Sequence, residues 1–79
     1  MDFMNNENNL GEQPIRKLLE KHGLKHHDLV VASEVPMTHK MITRAEKGRR
    51  LTDNTKRIVL NALNRAAGTH YTPADLFDY

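Results

Sequence analysis

Apolar residues first become periodic at Ile15, with Leu18 and Leu19 three and four positions on, the spacing of one face of a helix. Pro14 stands just before them, where a first helical turn tolerates the missing N–H, and Gly23 marks the stop. The pattern predicts a short second helix over His26 to Ala32, with Leu29 and Val30 facing inward and Asp28 in the first turn, where its charge complements the helix dipole. The valines of "LVVASEV" also suit a strand, but no second alternating segment exists to pair with one, so a helix is preferred. Pro36 forces "SEVPM" into a turn, because it cannot continue a helix and pushes Val35 to an extended backbone. Thr38 then offers an N-cap to a third helix that Gly48 ends. Thr52 or Asp53 caps a fourth, carrying Ile58, Val59, Ala62 and Leu63 at helical spacing to about Ala67, with Gly68 beyond. In "TPADLF", Thr72 as cap, Pro73 in the first turn and Asp75 three residues after the cap start a fifth, whose Leu76 and Phe77 close over the core. The expected fold is an all-α, compact five-helix domain over residues 13–79. Residues 1–12, rich in Asn and without pattern, are expected to be a disordered tail.

Wrapped at about 100° per residue, the third helix divides into two sides. Ile42, Ala45 and Glu46 share one, with Met41 at its border. His39, Lys40, Thr43, Arg44 and Lys47 share the other, and none of these is aliphatic. A helix held by a narrow apolar stripe, with donor-rich side chains opposite and Arg49 and Arg50 just past its end, meets the requirements of a helix that reads the DNA major groove. A charged face turned to solvent is the plainer alternative.

Charge narrows the choice. All 12 Lys and Arg lie between Arg16 and Arg65, a span with five acids and hence an excess of seven positive charges, whereas the two ends carry five acids and no Lys or Arg. A positive middle favours a polyanionic partner, because neutralising phosphates supplies most non-specific nucleic-acid affinity. The 79 residues allow one domain, and the absence of cysteine removes disulfide and thiolate-metal chemistry. With no signal-peptide pattern and no long apolar run, a soluble cytoplasmic protein without membrane association is expected.

From Ile15 to Arg50, "IRKLLEKHGLKHHDLVVASEVPMTHKMITRAEKGRR", followed by "ALNRAAGTHYTPADLF", the chain resembles the phage repressor and Cro-like, or Xre-type, helix-turn-helix family. The resemblance covers residues 14–77. It is carried by Gly23-Leu24 after the first helix, Leu29 in the second, the hydroxyl cap at Thr38, Ile42 in the core, Glu46-Lys47-Gly48-Arg49 in the place of the family's Glu-x-Gly-Lys/Arg signature, and the closing Asp75-Leu76-Phe77. It implies a lambda-repressor-like domain that binds double-stranded DNA as a transcriptional regulator, most often a repressor. Base contacts then fall to His39, Lys40, Thr43 and Arg44, and phosphate contacts to Thr38, Lys47, Arg49 and Arg50. His26 stands where the family has a phosphate-touching Gln. The chain departs from the family in being about two residues longer between Leu29 and Glu46, in replacing the turn glycine by "SEVPM", and in having Leu19 where the family places an Arg that pairs with the signature Glu. Arg16, one turn earlier, is the expected substitute partner for Glu46. Ile42 and Ala45 complete the structural set.

An enzyme finds little here: no Ser-His-Asp set, phosphate loop or paired carboxylates can be made out, and His22 and His26 are separated by Gly23, so no metal, cofactor or small-molecule ligand is expected. An antitoxin or protein-interaction module is the alternative, with only the short acidic N-terminus available as a partner-wrapping segment. A homodimer on DNA is expected, since one reading helix touches few bases. Its contact is placed around Gly68 to Tyr79, where Tyr71, Leu76, Phe77 and Tyr79 exceed what a closing helix needs.

Overall fold

The computed structural model describes residues 11–79. The tail expected over residues 1–12 therefore lies outside the described residues, apart from Gly11 and Glu12. Five helices follow in order: α1 (Pro14–Lys21), α2 (His26–Ala32), α3 (His39–Lys47), α4 (Asp53–Ala67) and α5 (Pro73–Leu76). There is no β-strand among the described residues beyond an isolated bridge at Arg49.

Local chemistry sets the helix ends. The Thr38 hydroxyl accepts from Met41 N at 3.2 Å and that of Thr52 from Thr55 N at 3.1 Å, each satisfying a backbone donor in the first turn. Asp75 reaches back to the N–H and hydroxyl of Thr72 at 2.8 and 3.0 Å. Those bonds, the backbone one first, hold its carboxyl below the usual carboxylate range. Their stabilisation is therefore present in neutral solution and lost as acid protonates the group. The "SEVPM" turn is pinned from outside, by Arg65 of α4, whose guanidinium donates to Ala32 O at 2.9 Å and to Glu34 at 3.1 Å.

Helix α4 forms the floor, packed against α2, α3 and α5, while α1 packs against α3 and α5. The core gathers Ile15 and Leu19 from α1, Leu29 from α2, Ile42 and Ala45 from α3, Val59, Leu60, Ala62 and Leu63 from α4, and Leu76 and Phe77 from the closing segment. Met37 of the turn is buried with them. Helix α3 is thus backed by three helices through two fully buried side chains.

Leu76 and Phe77 are buried, and the two tyrosines near them have inward tasks. Tyr71 hydrogen bonds to His22 Nε2 at 2.8 Å, and Tyr79 donates to Arg49 O at 3.0 Å while accepting from Leu51 N at 3.1 Å. The apolar surplus expected around Gly68 to Tyr79 is consumed within the fold, which removes the ground for placing a dimer contact there. Among the described residues the large apolar side chains left exposed are Val31 and Val35. Burial pushes the Tyr79 phenol above its ordinary value, so whatever stability its bonds contribute holds below about pH 10 and fades as the solution becomes more alkaline.

Gly48 and Gly68 end α3 and α4 with φ of +82° and +68°. Around Gly68 there is open space, whereas Gly48 is buried under the backbone of Gly11, whose carbonyl would meet an added Cβ. An L-residue in this left-handed region costs about 1 to 2 kcal/mol. Gly68→Ala should lose that much, and Gly48→Ala clearly more, as read from denaturant midpoints. Equal losses would mean that the Gly11 segment moves aside freely.

Candidate nucleic-acid interface

The face of α3 away from the core is set by its buried seam. Ile42 and Ala45 are fully buried, Met41 and Glu46 are half-buried beside them, and His39, Lys40, Arg44 and Lys47 are exposed. Thr43 is half-buried on the outward side, and its hydroxyl donates to His39 O at 3.1 Å, leaving the oxygen as an acceptor. Arg49 is half-buried and Arg50 exposed in the segment after the helix, held by the Tyr79 hydroxyl from both sides of Arg50. Lys40, Arg44, Lys47 and Arg50 have no acidic partner within salt-bridge distance among the described residues.

The rim of the seam differs from expectation. Arg16 does not pair with Glu46; its guanidinium lies 3.4 Å from Glu12 and 3.8 Å from Glu20, along its own side of α1. Glu46 Oε1 instead accepts from His26 Nε2 at 2.8 Å, with the two side chains 19% and 29% exposed. A carboxylate only accepts, so Nε2 carries the proton. The physical reason is placement: His26 begins α2 directly against α3, whereas Arg16 points outward from α1 and meets acids one turn away in each direction. Because Nε2 is committed within the protein, the phosphate contact expected of His26 would have to come from its other ring nitrogen.

Backbone of the same region is fastened by a residue that sequence reasoning missed. Gln13 is almost fully buried; its N–H donates to Glu46 O at 3.0 Å, its side-chain oxygen accepts from Asp78 N at 2.8 Å, and its Nε2 donates to Gly11 O at 3.0 Å. It ties both ends of the described chain to α3. No periodicity marks it, because a polar residue just before a helix reads as solvent-facing. Asn64 has a similar hidden task, its side chain accepting from Tyr71 N and Thr69 Oγ, both at 2.8 Å.

His39 also meets both histidines of α2: its ring centroid is 6.1 Å from that of His26 and 6.3 Å from that of His27. No group of three or more His, Cys, Asp or Glu among the described residues is arranged to hold a metal ion. No described helix is long and apolar enough to cross a membrane. The chain matches no protein-family model, no curated protein and no solved structure.

A double-mutant cycle separates the two assignments of Glu46. His26→Ala and Glu46→Ala should couple by about 1.5 to 3 kcal/mol, as for a hydrogen bond to a charged group, while Arg16→Ala and Glu46→Ala should add. Coupling confined to Arg16 would return the expected pair.

Proposed function

We propose that the protein is a sequence-specific, double-stranded-DNA-binding transcriptional regulator of the Cro/repressor helix-turn-helix type, acting as a repressor, with α2, the Ser33–Met37 turn and α3 as its helix-turn-helix. The observation that carries this reading is the outward row of α3: His39, Lys40, Arg44 and Lys47 exposed and Thr43 half-buried among them, all with hydrogen-bonding heads, on a helix whose opposite side is locked into the core. In a groove about 12 Å wide such a helix presents His39, Lys40, Thr43 and Arg44 to base edges. Arg44 suits guanine, because its fork matches O6 and N7. Thr38, Lys47, Arg49 and Arg50 lie toward phosphates at the two ends of the helix. Two copies bind half-sites about one helical turn apart, which gives the complex enough base contacts for specificity.

Lys40 supports the proposal in particular. It stands in the first turn of α3, where no acid accompanies it and where a cation opposes the helix dipole at a cost of some tenths of a kcal/mol. Folding gains nothing from it there, whereas a DNA phosphate or base does.

The test is a binding site selected from random duplex DNA, followed by affinity and salt dependence. Arg44→Ala should lose about 1 to 3 kcal/mol and relax preference at one position, while Arg50→Ala should weaken all sequences alike and reduce the salt slope by about one. Equal weakening of selected and random DNA by both substitutions would reduce the surface to a general phosphate patch. Saturation at one protomer on a non-palindromic site would exclude the dimer.

A further inference from the structure

We propose that His26, His27 and His39 together form a proton-coupled site for a DNA backbone phosphate, so that this protein takes up protons when it binds DNA. The inference rests on the DNA-binding reading above and deepens it in two ways: it brings in His27, a residue with no role in that reading, and it turns the His39 ring from base edges to the backbone.

The cluster joins two helices. His39, the first residue of α3, has the rings of His26 and His27 of α2 at centroid distances of 6.1 and 6.3 Å, and the His27 and His39 planes are within 26° of parallel. His27 and His39 are exposed, and neither ring hydrogen bonds to another described residue. Two bare imidazoles side by side contribute little to folding, and a gap of this size between ring centres leaves their N–H groups free for an outside acceptor. The charged groups around them are of both signs. Lys25 precedes the cluster on α2 and Lys40 follows His39 on α3, both exposed. The Asp28 carboxylate is engaged by Lys25 N at 2.8 Å, and Glu46 by His26. Glu12, Arg16 and Lys47 line the cleft on the far side of Glu46.

The chemistry of imidazole supplies the coupling. A neutral ring offers one N–H and one lone pair, and the lone pair repels a phosphate oxygen; the cation offers two donors and a charge. His26 shows the point in miniature, because Nε2 is spent on Glu46 and its other nitrogen donates outward only in the protonated ring. A phosphate diester has no proton of its own to exchange in neutral solution, so it selects the protonated rings and the protons come from solvent. By linkage, affinity then rises as pH falls through the imidazole range.

The experiment is isothermal calorimetry of the full chain with a short mixed-sequence duplex, at constant ionic strength in two buffers of different ionisation enthalpy, together with affinity between pH 8 and 6. Uptake of about one proton per protomer is expected, with affinity rising as the pH is lowered from 8 to 6. His27→Gln should reduce the uptake, and His27→Gln with His39→Gln should abolish most of it, whereas His70→Gln, in a separate hollow at the end of α4, should leave it unchanged. DNA binding without proton uptake would overturn the inference while leaving the DNA-binding reading in place. Uptake that survives the double substitution would remove it from this cluster. Failure to bind duplex at any pH would remove the DNA-binding reading itself.

Discussion

The arrangement depends on the burial of two side chains, Ile42 and Ala45, one turn apart on a helix of nine residues. Removing an isoleucine side chain from water is worth about 2 to 3 kcal/mol, a large share of the net stability of so small a domain. Because the seam is narrow, it fixes the rotation of α3 while leaving most of its circumference to solvent. Polar ties then stop the helix from sliding: His26 and the Gln13 backbone hold Glu46, and Tyr79 holds the chain on either side of Arg50. Side chains on the far side are consequently presented from a rigid support at defined heights along the axis, the condition for reading rather than merely attracting a polyanion.

The distribution of partners among the cations has a meaning of its own. Arg16 and Arg65 are matched with carboxylates, and Lys56 lies 3.9 Å from the Tyr79 ring centroid and donates to the main-chain oxygen of that residue. These three serve the fold. Lys17, Lys21, Lys25, Arg49 and Arg57 have no carboxylate partner among the described residues, and neither have Lys40, Arg44, Lys47 and Arg50, on or just beyond α3. Two of them, Arg44 and Lys47, fall in the last turn and gain a little from the helix dipole, but Lys40 does not.

Local features were legible and long-range pairings were not. Helices α2, α3 and α4 begin and end where the threonine caps, Pro36 and the two glycines require, since each signal acts within four residues. The inward positions of α3 follow from its periodicity. What could not be read was which polar group meets Glu46, because that depends on the crossing of α2 over α3, and periodicity carries no information on crossing angles. Gln13, Asn64 and the hydroxyls of Tyr71 and Tyr79 carry no sequence signal for a related reason: their partners are distant in sequence, as His22 is for Tyr71, or lie in the links at helix ends. The tyrosines were misread as spare apolar surface because their rings were counted and their hydroxyls were not.

The most direct test of the DNA-facing role proposed for α3 is amide chemical-shift mapping of the full chain titrated with short duplex DNA. The largest changes are expected from Thr38 to Arg50 and at His26 and His27, with α5 and the Gly68 to Tyr71 link nearly still. Changes centred on α5 or on the exposed Val31 and Val35, with α3 unmoved, would contradict it.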